Sequence, residues 1–353
     1  MKVTFVLPGG AGEPAGGSRM VLRYANALAA AGWSPAVVMP ADTGEASPGR
    51  RFLRRGRYWL WRGSGAYRPT AWMPLHPGVR IDWVPDLEPR RAVHGDAVVS
   101  TSVRTAEAVA GWPATAGRKF YFVQGYETWD YPPARVEASW RLPLAKMAVS
   151  RWLCELIAAA GASAAHLPNG LDADAFGLDR PCAERVPGRV LWPHHWLAQK
   201  GSGDVTAALS GVPGLQLAAF GTAAPSRDWP AELVYWRNPS QVRLRALYNE
   251  AAIMIAPSHA EGWGLPACEA LQCGCALVAT DIGGHREFLR DGHNALLYPA
   301  GDRTALRAAV ERLRSDAPLR LRLAQAGVED MAALGLATSV EKLKTLLRGE
   351  AAS

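Results

Sequence analysis

Glu261-Gly-Trp-Gly-Leu-Pro-Ala-Cys-Glu269 follows the apolar run Ile253-Met-Ile-Ala-Pro257. That order predicts a strand, a glycine-rich turn and the start of a helix. Gly262 and Gly264 tolerate backbone conformations closed to other residues, and Pro266 suits a first helical turn. The first N–H groups of such a helix lack intrahelical acceptors and attract anions. Glu261 falls in the turn. Glu269 falls one turn into the helix, i+4 from Leu265, so both carboxylates can face a ligand resting on the helix end. Acids beside an anion site do not suit a bare phosphate. They suit a ligand whose hydroxyls lie next to its phosphates, such as a nucleotide sugar.

Working outward, apolar strand-like runs alternate with helical periods. They fall at residues 3–7, 36–39, 79–84, 97–100, 120–123, 146–149 and 165–167, then at 190–192, 215–220, 233–236, 253–256, 276–279 and 295–298. Such alternation implies parallel sheets covered by helices, with ligands at the strands' C-terminal ends. In the first helix Ser18 reads as the N-cap, Val21, Ala25, Leu28 and Ala29 keep helical spacing, and Gly32 ends it. Asp302 reads as the cap of a helix carrying Leu306, Val310 and Leu313. Residues 178–188 break every period and read as a linker. The fold class is therefore α/β, with two doubly wound domains facing a cleft.

Bulk properties agree. A chain of 353 residues suits two domains of roughly 150–200 residues. No apolar run approaches the ~18 residues of a membrane span. The opening Met-Lys-Val-Thr-Phe-Val-Leu stops at Pro8-Gly9-Gly10, so it reads as a buried strand rather than a signal sequence. Five cysteines without framework spacing point to a reducing compartment. Cys268, Cys273 and Cys275 cluster, but no histidine completes a zinc pattern, and they read as packing residues. The net charge of +7 is concentrated: eight arginines and no acid lie between Gly49 and Ile81. The rest of the chain is near neutral, which argues against nucleic acid as a partner.

Five stretches, taken in order, resemble the family 4 retaining glycosyltransferases of the GT-B fold across nearly the whole chain. They are Gly16-Gly17-Ser18, Pro168-Asn-Gly-Leu-Asp172 with Phe176, Lys200-Gly201, Glu261 to Glu269, and Thr280-Asp-Ile-Gly-Gly284 with Glu287. Tyr121-Phe-Val-Gln-Gly-Tyr-Glu127 and Trp236-Arg-Asn-Pro-Ser240 look like the branch that builds surface polysaccharides, rhamnose-containing ones among them. The resemblance implies an acceptor-binding Rossmann-like domain over 1–178 and a nucleotide-sugar-binding one over 179–335. It also implies a final helix, 336–353, that packs back on the first domain. The implied reaction moves a sugar from a nucleotide diphosphate to an acceptor hydroxyl with retention at the anomeric carbon. No cofactor and no metal are expected. The implied partners are a nucleotide-sugar donor and an unidentified acceptor, with a lipid-linked glycan among the options. The expected location is cytoplasmic, or peripheral at the inner membrane face.

Such a reaction needs the departing diphosphate stabilised as charge builds on it, which a lysine and a helix N-terminus can do. Lys200, after the run 190–192 and before Gly201-Ser-Gly203, is the candidate cation. By resemblance Glu261 holds donor-sugar hydroxyls and Glu269 the ribose. Gly262, Trp263, Gly264 and Leu265 border the same site. The leaving diphosphate can itself take the acceptor's proton, so no protein base is assigned and Glu261 is not read as a nucleophile. Gly16 and Gly17 let backbone approach acceptor or donor, or serve only as a turn. Asp172-Ala-Asp174 matches a metal motif of another transferase fold, but here it belongs to the Asn-Gly-Leu-Asp turn.

Two departures from the family stand out. Relatives often carry arginine six residues before the lysine, where this chain has His194, with His195 beside it. A diphosphate near either imidazole would raise its pKa, so donor affinity is expected to weaken above neutral pH. Relatives also often place a histidine where Gln124 stands, and glutamine cannot take up a proton. Tyr126 and Glu127 either touch acceptor or, for Glu127, cap a helix.

Arg50-Arg-Phe-Leu-Arg-Arg-Gly-Arg-Tyr-Trp-Leu-Trp-Arg62 interleaves charge with aromatics and suits either an anionic membrane surface or a solvated insertion. Gly56 and the following Gly63-Ser-Gly65 are expected to limit any helix to short pieces. Readings from other classes are a GT-B protein that binds nucleotide sugar without transferring it, and a natural-product glycosyltransferase. An epimerase or phosphorylase would need catalytic groups that do not appear.

Overall fold

The computed structural model describes residues 1–10, 16–45, 47–65, 67–89, 95–226 and 229–350. The chain divides into two compact units: Met1–Asn169 with Ser339–Ser353, and Gly170–Thr338.

Unit 1 runs β1 (Lys2–Val6), α1 (Gly16–Ala30), β2 (Ser34–Pro40), α2 (Pro48–Trp61), β3 (Arg80–Val84), β4 (Ala97–Ser100) and α3 (Val103–Ala110). It continues through β5 (Arg118–Val123), α4 (Pro133–Trp140), β6 (Ala145–Ala148), α5 (Arg151–Ala159) and β7 (Ala164–His166). Its seven strands form one parallel sheet, ordered β3-β2-β1-β4-β5-β6-β7. Val3 pairs with Pro35 on one side and Ala97 on the other. Phe5, Val6, Val37, Val98 and Val99 are buried. Helices cover both faces of such a sheet, which is why its strands read as apolar runs rather than alternating ones. Strand order reverses at β1, the switch point where ligands of doubly wound sheets gather.

Helix starts follow local chemistry. The Ser102 and Ser150 hydroxyls accept the third N–H of α3 and α5. Ser18, expected as a cap, instead lies inside the first turn of α1, because the helix already runs from Gly16.

A larger correction concerns α2, which passes unbroken through Gly56. A glycine in an exposed helix costs only about 1 kcal/mol, and tertiary contacts offset it. Arg51 and Arg55 reach the Asp42 carboxylate (3.1 and 3.7 Å), and Arg55 also reaches Asp86 (3.3 Å). Tyr58 packs edge-on against Trp83 at 5.0 Å.

Unit 2 runs β8 (Arg189–His194), α6 (Ser202–Leu209), β9 (Gln216–Gly221), β10 (Val234–Arg237), α7 (Gln241–Glu250) and β11 (Ile253–Ala256). Then come α8 (Leu265–Gln272), β12 (Ala276–Thr280), β13 (Ala295–Tyr298), α9 (Arg303–Ser315) and α10 (Ala317–Ala332). The six strands are parallel, in the order β10-β9-β8-β11-β12-β13. Val190, Trp192, Ile253, Ile255 and Val278 meet Leu306, Val310 and Leu313 of α9 in the core. Asp302 caps α9 by accepting from Ala305 N at 2.9 Å. Cys268, Cys273 and Cys275 are buried free thiols, and burial pushes Cys275 up to about 12.

Residues 178–188 are not a free linker. Asn249 Oδ1 accepts from Asp179 N and Arg180 N (2.8 and 3.1 Å), and Arg245 clamps the Asp179 carboxylate. Buried Arg185 donates to the carbonyls of Tyr248 and Ala251. Polar composition hid these bonds, since the partners lie some 65 residues away. The last helix, α11 (Leu336–Arg348), joins unit 1 from Ser339 onward. There Arg118 Nη1 donates to Leu347 O at 3.2 Å, and Arg348 lies over Trp33 at 5.6 Å. No helix among the described residues is long and apolar enough to cross a membrane.

Candidate functional site

In unit 2 the loops after β8, β11 and β12 converge, and three glycines make that possible. Gly201 takes a left-handed conformation (φ 66°) at the start of α6, and a β-carbon there would sit 2.0 Å from the Pro257 carbonyl. Gly264 (φ 109°) caps α8, where a β-carbon would lie 2.9 Å from the His285 ring. Gly284 presses on the Glu261 backbone, with a hypothetical β-carbon 2.2 Å from its carbonyl oxygen. Only glycine fits such approaches.

The loops are then bonded together. His259 N donates to Gln199 O at 2.7 Å, and Thr280 Oγ1 donates to Ser258 O. These contacts bring together two side chains 61 positions apart. Lys200 Nζ donates to Glu261 Oε1 at 2.7 Å, and Ser258 Oγ donates to the same oxygen at 2.9 Å.

Burial pushes the Glu261 pKa up, but Lys200, neighbouring His285 and Ser258 together hold it below the ordinary carboxylate value. Glu261 is thus ionised at neutral pH and accepts hydrogen bonds. His285 is buried, and burial lowers its pKa, so the ring is neutral. Its Nδ1 lies 2.9 Å from Thr280 O and donates there, leaving Nε2 as an acceptor beside Gly264.

At the start of α8, neither Gly264 N nor Leu265 N donates to a partner among the described residues. Gly264 follows Glu261 by three residues in the same loop. Glu269 lies deeper, 1% exposed, and its Oε2 accepts from Tyr248 Oη at 3.3 Å. The Trp263 side chain turns into the core. Its indole Nε1 donates to Cys268 Sγ and its ring packs on Phe288 at 5.4 Å, so only its backbone is left to face a ligand. Leu265 is buried as well.

His194 is held by neighbours within unit 2. Its Nδ1 lies 2.7 Å from Ser202 Oγ and its Nε2 lies 3.1 Å from Ala224 O. A carbonyl only accepts, so Nε2 carries the proton and Nδ1 accepts from the serine. Trp229 and Tyr235 pack edge-on around the ring. Burial lowers its pKa below the usual 6.5 despite the Ala224 carbonyl. Burial, then the Lys200 charge, does the same to His195. The free protein therefore holds both rings neutral above pH 7. A diphosphate that raised either pKa would still bind more weakly as pH climbs from the free to the bound value.

In unit 1, Gly17 and Gln124 are neighbours: a β-carbon on Gly17 would lie 3.2 Å from Gln124 Nε2. Gly16 is exposed at the start of α1. Tyr126 spends its hydroxyl on Glu137 (2.8 Å). Glu127 caps α3, accepting from Val103 N at 3.1 and 3.2 Å, with Tyr121 Oη at 3.4 Å. Burial pushes its pKa up to about 7 in spite of those donors. Asp172 Oδ1 accepts from Asp174 N and Ala175 N, the bonding of a turn. Sequence reasoning missed Ser258, Ser202 and His285. The signal for His285 was its place directly after Gly283-Gly284; the serines carried none.

Residues 232–330, within unit 2, match the family described as glycosyl transferases group 1. The chain is 35% identical over 120 residues to the D-inositol 3-phosphate glycosyltransferase of Thermomonospora curvata, covering 34% of this chain and 28% of that one. It is 40% identical over 90 residues to the protein of the same name from Stackebrandtia nassauensis, covering 26% and 20%. The chain therefore matches under a third of the length of these curated relatives. Among solved structures, HepE of Anabaena in complex with UDP-glucose superposes with a TM-score of 0.76 at 14% identity, over 99% of this chain and 100% of that one. Sucrose-phosphate synthase of Thermosynechococcus elongatus gives 0.74 at 16% identity, over 99% and 98%. The fold is the GT-B glycosyltransferase fold.

Proposed function

We propose that the chain is a retaining, metal-independent glycosyltransferase of family 4 that takes a sugar from a nucleotide diphosphate and passes it to an acceptor hydroxyl. One observation carries the reading: Lys200 is bonded to an ionised Glu261, three residues before two N–H groups at the start of α8 that donate to no partner among the described residues. The amides and Lys200 suit the diphosphate, and Glu261 suits sugar hydroxyls. Glu269, one turn on, is the ribose candidate. The partial likeness to named glycosyltransferases supports the transferase class, and a UDP-glucose complex with the same fold supports a nucleotide-sugar donor. Unit 1, with Gly17 against Gln124, is the proposed acceptor side. Because Gln124 cannot carry the proton, the reaction we infer passes it to the leaving diphosphate on the same face as the departing group. Stretches 121–127 and 236–240 favour surface-polysaccharide assembly in the cytoplasm.

A thermal-shift panel of UDP, GDP, dTDP and ADP tests the donor site. One nucleotide at ~100 times its dissociation constant is expected to stabilise the protein by about 2.7 kcal/mol. No shift with any of the four removes the reading, and with it the preference over a non-transferring binding protein.

A membrane partner is favoured by α2. Its outward stripe exposes Phe52, Leu53 and Leu60 by 79%, 69% and 82%, flanked by arginines. This is the pattern of a helix lying on an anionic bilayer. Vesicles containing one-third phosphatidylglycerol are expected to sediment the protein at low salt, and Phe52→Asp with Leu60→Asp should release it. Equal sedimentation of the double variant would remove the membrane reading.

A further inference from the structure

A cavity of about 480 Å³ opens in unit 1 at the C-terminal ends of β1 and β2, and α2 forms one wall. Its volume falls in the range of small-ligand sites, roughly 300–1,000 Å³. At 100° per residue α2 presents three stripes. Arg51, Arg55 and Tyr58 face the domain, where Asp42, Asp86 and Trp83 receive them. Phe52, Leu53 and Leu60 face outward. The third stripe, Arg54, Arg57 and Trp61, lines the cavity.

The charge here is unbalanced. Asp42 and Asp86 pair with the inward arginines, and no acid lines the cavity among the described residues. Among the described residues neither Arg54 nor Arg57 pairs with a carboxylate; Arg57 only lies over Trp61 at 5.2 Å. Opposite them Tyr67 stacks on Trp83, ring centres 4.9 Å apart and 22° from parallel, and Thr43 adds a hydroxyl. Two guanidinium forks match a carboxylate or phosphate, and flat aromatic surfaces match the C–H face of a sugar ring. Neither feature alone selects a ligand. Together they require a ring that carries an anion.

We propose that this cavity binds an acidic saccharide, a sugar ring bearing phosphate or carboxylate. Calling that group part of the acceptor rests on the transfer reading above; the binding itself does not. Ligand-observed NMR titration of the full chain with glucose 6-phosphate, glucuronate and glucose tests it. The two acids should bind at least tenfold more tightly than glucose. Arg54→Gln with Arg57→Gln should erase that preference without changing UDP affinity. Arg54→Lys with Arg57→Lys keeps the charge but loses the fork, and should retain part of it.

Competition by soluble short-chain phosphatidylinositol, but not by short-chain phosphatidylcholine, would assign the ring and its phosphate to a lipid headgroup. No competition would assign them to a soluble sugar. Binding of glucose as tight as that of the acids, or an acid preference surviving in the glutamine variant, overturns the proposal. UDP binding read on the same samples tests unit 2 separately, so either idea can fail alone.

Discussion

Lys200→Ala is expected to lower sugar transfer about 10²–10³-fold while the chain remains folded. That is the usual cost of deleting one fixed group that meets developing charge. Among the described residues the lysine pairs with Glu261 alone, and both side chains are about a quarter exposed (26% and 22%). Losing such a pair costs stability only about 1 kcal/mol, so activity should fall far more than the melting temperature. Turnover should also fall more than donor affinity, because the amides of Gly264 and Leu265 remain. Glu261→Gln makes the complementary test, since it leaves Lys200 charged but without its anchor. Steady-state kinetics with the nucleotide found by thermal shift would decide. A Lys200→Ala enzyme retaining a third of wild-type turnover would show that the diphosphate is gripped elsewhere.

Glu127→Gln should stabilise the protein at pH 8 by about 3 kcal/mol and by under about 1 kcal/mol near pH 5. Burial raises this carboxyl from 4.5 to about 7 in the native state. Between those two values the folded chain holds a proton that the unfolded chain has released. Stability therefore falls as pH rises through this window and levels off above 7. A gap of about 2.5 units at ~1.4 kcal/mol each gives the magnitude. The glutamine carbonyl can still accept from Val103 N, so the cap on α3 survives while the buried charge is gone. Denaturant curves for both proteins at pH 5 and pH 8 test this. An offset that is the same at both pH values would show that Glu127 bears no penalty for ionising.

Much of this molecule was legible in its residues, and the reasons for the failures are physical. Every apolar run read as a strand lies in or overlaps one of the strands found among the described residues, because strands buried on both faces leave a continuous signal. Lys200 and Glu261 were both singled out by their motifs as candidates for one site. Their salt bridge was not, since it depends on the Gln199–His259 bond and on Gly201 seated against Pro257. Burial was the main blind spot. His194 was read as a stand-in for a cation because its surroundings, Ser202, Trp229 and Tyr235, come from three separate segments. Trp263 was read as bordering the ligand because its partners Cys268 and Phe288 were not evident. In α2 the glycine was weighed by itself, without the aspartates that hold Arg51 and Arg55 before it or the Trp83 ring that meets Tyr58 after it.

The crowding around Gly201, Gly264 and Gly284 has a practical bearing on anyone who would evolve a new donor preference. Randomising those three codons would yield mostly dead clones, because even a methyl group has nowhere to go. Diversity is better placed in side chains that can be exchanged without moving the main chain.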